Sequence, residues 1–70
     1  MKTIHEIEKA VQANSLRSIG PSMSRGYVSR KTTGYVAPYK GRYGTGFCVY
    51  RPNWESTRYS FVTYYVEVVA

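Results

Sequence analysis

Between Thr3 and Ala13 the apolar residues Ile4, Ile7 and Val11 recur at helical spacing, with Ala10 beside them. Glu6, Lys9 and Gln12 take the opposite, water-facing side. Thr3 and Glu6 have the spacing of a capping box, and Glu6 and Glu8 sit where the helix dipole favours acids. The pattern predicts a first helix over roughly residues 3–13, stopped near Asn14. Ser15 can cap a second, short helix carrying Leu16 and Ile19, which Gly20-Pro21 interrupts because proline disfavours helical geometry at the residue before it. Pro21 then opens one more helical turn over 21–25, and Gly26 ends it.

Beyond Gly26 the spacing changes to that of strands. Residues 27–33 are rich in β-formers and alternate moderately, which predicts a strand. Residues 34–46 hold four glycines and one proline and predict an arm or long hairpin loop. Residues 47–50 read as a second strand, and 51–57 as a turn or loop. The longest strand is expected over 58–68. Val62, Tyr64, Val66 and Val68 line one of its faces, and Tyr59, Phe61, Thr63 and Tyr65 the other. A strand apolar on both faces is either central in a sheet or covered by a partner. These elements predict a single α+β domain over residues 1–70: an N-terminal helix plus one or two short helices, followed by a three-stranded antiparallel sheet. That is also the order of a compact winged helix.

Seventy residues bury only about 60% of the surface their unfolded chain exposes. Strong aliphatic positions are few, so the core has to recruit tyrosines, Met23 and Trp54, and a homodimer seam would be an economical remedy. The formal net charge of +6, with a pI near 9.7, points to a polyanionic partner: nucleic acid or an acidic protein surface. A membrane partner is not expected, because the basic residues lie mostly outside the amphipathic helix. The chain shows no apolar leader and no run long enough for a bilayer, which predicts a cytoplasmic protein. Its single cysteine, Cys48, excludes an intrachain disulfide framework and a cysteine-based zinc site.

Charge patterning locates the candidate chemistry. From Lys9 to Trp54 the chain carries eight basic residues and no acid. Natural surfaces usually mix both signs, so solubility alone is a poor account of this run. Arg25, Arg30, Lys31, Lys40, Arg42 and Arg51 are the expected phosphate or partner contacts, and Tyr35, Tyr39 and Tyr43 the expected stacking rings. Trp54 with Tyr59, Phe61 and Tyr65 is either a ring-filled core or a hot spot for a protein partner. His5 lacks a second metal ligand at a suitable spacing, Cys48 lacks a neighbouring base, and the four acids lie toward the chain ends. No catalytic residue, metal site or cofactor is expected. The function expected is a small, non-enzymatic nucleic-acid-binding regulator, DNA before RNA. The alternative is an inhibitor or adaptor that docks on an acidic host protein.

Two resemblances bear on this. Gly44, Gly46, Phe47 and Tyr50 partly resemble the RNP1 motif of RNA-recognition and cold-shock folds, although Tyr43 stands at its basic position and Thr45 at its first stacking position. The stretch 22–31, with Arg25, Arg30 and Lys31, resembles the helix-to-strand passage of small winged-helix regulators, including accessory proteins of tailed phages. The second resemblance spans roughly residues 15–50 and implies arginines close to a DNA backbone, in a host cytoplasm.

Overall fold

The capping box forms as its spacing predicts. In the computed structural model, which describes residues 3–69, Thr3 Oγ1 accepts from the Glu6 N–H at 3.2 Å, and Glu6 Oε1 accepts from the Thr3 N–H at 3.4 Å. Helix α1 runs over Ile4–Gln12. Asn14 ends the turn that follows it with a left-handed φ of 61°.

The next segment overturns the expected architecture. Residues 15–25 form no second or third helix: Leu16–Arg25 is strand β1. Three further strands follow: β2 (Tyr35–Gly41), β3 (Gly44–Arg51) and β4 (Tyr59–Glu67). The protein is therefore one short helix on a four-stranded antiparallel sheet of order β1-β4-β3-β2, and neither a three-stranded sheet nor a winged helix. The Leu16/Ile19 spacing that reads as helical belongs to a bulged strand. The register with β4 slips between Ser18 and Gly20, and Gly20 supplies φ +116° at the bulge. Pro21, which would break a helix, is tolerated because β1 is an edge strand.

The arm is also more regular than its glycines suggest. Residues 35–51 form a tight hairpin whose two-residue turn is Arg42-Tyr43, with Gly41 opposite Gly44. Residues 27–33, expected as a strand, are instead a connection that leads from one edge of the sheet to the other. That connection is tied to the β3–β4 loop, where the Gly26 N–H donates to the Arg58 carbonyl at 2.9 Å. β4 is an inner strand, which accounts for its two apolar faces.

α1 packs on one face only. Ile7, Leu16 and Val49 are its buried centre, with Ile4, Ala10, Val11, Val36, Phe47 and Tyr65 around them. A nine-residue helix is about 13 Å long, whereas β4 spans about 30 Å, so α1 covers less than half of that face. On the opposite face Val62, Val66 and Cys48 are buried without any helix over them.

Candidate functional site

Strand register divides the expected contact residues into three groups. Lys40 on β2 and Arg42-Tyr43 in the hairpin turn are exposed at one end of the sheet. Arg25 ends β1, Arg51 ends β3, and Arg30 and Lys31 lie in the connection 26–34, all at the other end. The length of β2 alone puts about 20 Å between these groups. Six cations that look continuous in sequence therefore cannot act as one arm. Arg51 is already engaged, its Nη2 lying 3.5 Å from Glu8 Oε1 on α1.

Tyr35 and Tyr39 form the third group, on the face away from α1. Cross-strand partners share a face, and Tyr35 lies opposite Tyr50, with ring centroids 4.8 Å apart and planes 17° from parallel. Tyr39 meets Tyr64 of β4 at 5.0 Å in a tilted arrangement. Small residues leave room for these rings. Ala37 pairs with Cys48, and Gly46 stands between Tyr39 and Val66. At Gly41 a Cβ would run into the Tyr39 hydroxyl. On this face, which has no helix layer, Tyr50 pairs with Val62, Tyr64 with Cys48, and Tyr39 with Gly46. Tyr35 remains 52% exposed.

Charge on this face is one-sided. Glu6 and Glu8 are on α1, Glu55 is in the β3–β4 loop, and Glu67 points to the α1 side opposite Leu16. Arg17 stands on the tyrosine face opposite Val66. At that end Arg17 shares a shallow depression with Tyr43, Gly44 and Thr45 of the hairpin and with Glu67. Hydrogen bonding with the Cys48 side chain, and then burial, pushes the Tyr50 phenol up from 10.0 to about 12. Tyr50 therefore keeps its phenol proton at ordinary pH.

The far end of the α1 face carries a different surface. Met23 and Phe61 pair across β1 and β4, next to Arg51. Both are about half exposed, Tyr59 is 37% exposed, and Trp54 is 62% exposed. Arg30 holds that loop: its Nη2 donates to the Trp54 carbonyl at 2.8 Å, and its guanidinium lies 5.9 Å from the centre of the indole ring. So Trp54, Tyr59 and Phe61 are surface residues, while Tyr65 packs beneath α1.

The remaining candidates resolve simply. Phe47 and Thr45, the stacking positions of the RNP1-like stretch, point to the α1 side, and Phe47 is packed against the core. That is the wrong face for a base platform. His5 is exposed in the first turn of α1. Cys48 is buried, its thiol donating to the Ala37 carbonyl at 3.6 Å. Among the described residues no group of three His, Cys, Asp or Glu could hold a metal ion, and no helix is long and apolar enough to cross a membrane. Arg17, Tyr50 and Tyr64 join the tyrosine face unforeseen. Their only sequence signal is the alternation of rings with Gly, Ala and Cys, legible once the register is known. No protein-family model, curated protein or solved structure matches this chain.

Proposed function

We propose that the protein is a non-enzymatic nucleic-acid-binding domain that takes a single strand across the tyrosine face of its sheet. The observation that carries this reading is the set Tyr35, Tyr39, Tyr50 and Tyr64, gathered on one face without an acidic side chain. Aromatic rings stack on bases of any sequence, each stacked base contributing about 1–3 kcal/mol. Arg17 on this face and Arg42 in the hairpin turn stand at the end where the backbone would leave the rings, and they neutralise phosphates, whereas Lys40, opposite Thr45, is on the α1 side. The mode is sequence-tolerant, because every base has a face that can stack on a ring.

Duplex DNA is the weaker ligand in this reading, since no helix is available for a major groove and the cations are divided between two ends. The test is fluorescence anisotropy of labelled oligo-dT, oligo-rU and a duplex, followed from low to high salt. With two phosphates neutralised, log K for the single strands should fall against log salt with a slope of about −1.4. Tyr35→Ala should weaken single-strand binding by about 1–3 kcal/mol. No binding of either single strand at low salt, or tighter binding of the duplex, overturns the reading.

A further inference from the structure

The uncovered half of the α1 face supports an inference that does not depend on nucleic-acid binding. Met23, Phe61 and Trp54 are large apolar side chains held exposed on one continuous surface, beside a cleft of about 410 Å³ lined by Thr32, Thr33, Arg51, Pro52, Trp54 and Phe61. The register places Arg25 beside Tyr59, and Arg58 immediately precedes it. Arg30 holds the Trp54 loop through its backbone carbonyl and lies 5.9 Å from the indole centre, which reduces the ordering that binding has to supply. Exposed Trp, Met, Tyr and Arg in one patch is the composition of an interface centre.

We infer that this patch docks an acidic protein segment that carries an aliphatic or aromatic anchor. Charge complementarity selects the occupant. Arg51 lines the cleft, Arg25 is opposite Tyr59, Arg30 bonds the Trp54 carbonyl and Arg58 precedes Tyr59, while Glu55 is the acid of the adjoining loop and Glu8 is paired with Arg51. A second copy of this chain would bring a net +6 against +6, which disfavours self-association through this surface. Addition of the partner as an extra strand is also disfavoured. Pro21 and the bulge at Ile19 interrupt the β1 edge, and Pro38 and Lys40 protect the β2 edge. The segment therefore engages by inserting its anchor side chain into the cleft, with its carboxylates reaching the surrounding arginines.

Trp54 is the only tryptophan and reports directly on the patch. The intact protein is titrated with a 15-residue peptide of Asp, Glu and Ser bearing two leucines, with the same peptide lacking leucine, and with a dT oligonucleotide of equal length. The leucine peptide should shift Trp54 emission to the blue and saturate, and the leucine-free peptide should bind at least about tenfold more weakly. Phe61→Ala and Met23→Ala, both at exposed positions, should each reduce affinity for the leucine peptide by about tenfold. Tyr35→Ala should leave this titration unchanged, which separates failure here from failure of the nucleic-acid reading. No saturable shift at millimolar leucine peptide, an equal response without leucine, or a stronger response to the oligonucleotide overturns the inference.

Discussion

Tyr35 on β2 and Tyr50 on β3 stack face to face across the hairpin, 4.8 Å apart and 17° from parallel. Tyr50 is half-buried and raised in pKa, while the outer surface of Tyr35 is open. The pair thus joins a structural role to a binding role: one ring seals the sheet and holds the other toward solvent.

Removing the outer ring should separate the two roles. An offset-stacked pair adds about 0.5–1.5 kcal/mol beyond burial, so Tyr35→Ala should cost about 1 kcal/mol. For a domain of this size that lowers Tm by roughly 4–8 °C. Tyr35→Phe should keep the melting temperature within about 2 °C of the parent, because the ring and not the hydroxyl makes the contact. Circular-dichroism melts of the two variants measure this. Equal losses in both would mean that the hydroxyl carries the interaction.

Alkaline titration tests the inner ring. In the unfolded chain the Tyr50 phenol releases its proton near 10.0, and in the folded chain near 12. Between those values the unfolded state binds fewer protons, so stability falls as pH rises. Below about pH 10 the contribution is fully present. Urea midpoints between pH 9 and pH 12 should therefore decline, and Tyr50→Phe should flatten the decline across that window. An identical decline in the variant would assign the loss to other groups.

How far the sequence foretold this arrangement varies by element. α1 was legible because its cap, its period and its acidic first turn agree, and local physics suffices for all three. β1 was not, because Leu16 and Ile19 fit a helix in isolation, and only pairing with β4 makes the bulged strand preferable. The hairpin was hidden by its glycines. Gly46 is needed for close approach to the β4 backbone, where a Cβ would run into the Tyr65 carbonyl. The acid-free run does not reveal that its cations divide between two ends of the sheet. Which cations meet is a matter of strand direction, and direction is set by tertiary pairing. Trp54 was left open between core and surface, and the short reach of α1 decides for surface.

The contact between helix and sheet should show the usual gap between buried carbon and exposed charge. Ile7 is fully buried against Leu16 and Val49, so Ile7→Ala should cost about 2–5 kcal/mol. A 70-residue domain holds only about 4–10 kcal/mol in total, so this variant should be partly unfolded in mild denaturant. Its neighbour Glu8, paired with Arg51 at 3.5 Å on a solvated surface, should tolerate Glu8→Gln with a loss below about 1 kcal/mol. Urea titration of both variants checks the contrast. Comparable losses would show that the ion pair, and not the apolar contact, seats the helix.

Two glycines in the connection between β1 and β2 should respond differently to the same change. Gly26 and Gly34 both have positive φ, 141° and 111°, so alanine strains the backbone at either site by about 1–3 kcal/mol. Their surroundings differ. A Cβ at Gly26 meets nothing within 4 Å, whereas at Gly34 it runs into the carbonyl of Tyr50 and crowds Arg51 Cα. Neither obstacle can rotate away, because both are backbone of an inner strand. Gly34→Ala should therefore be clearly more destabilising than Gly26→Ala, and it should displace Tyr50 and loosen the stack with Tyr35. Thermal melts give the first comparison. The second follows from the alkaline decline, which should be shallower in Gly34→Ala and unchanged in Gly26→Ala. Equal destabilisation by the two substitutions would show that backbone strain alone, without the close approach of residue 34 to β3, sets the cost.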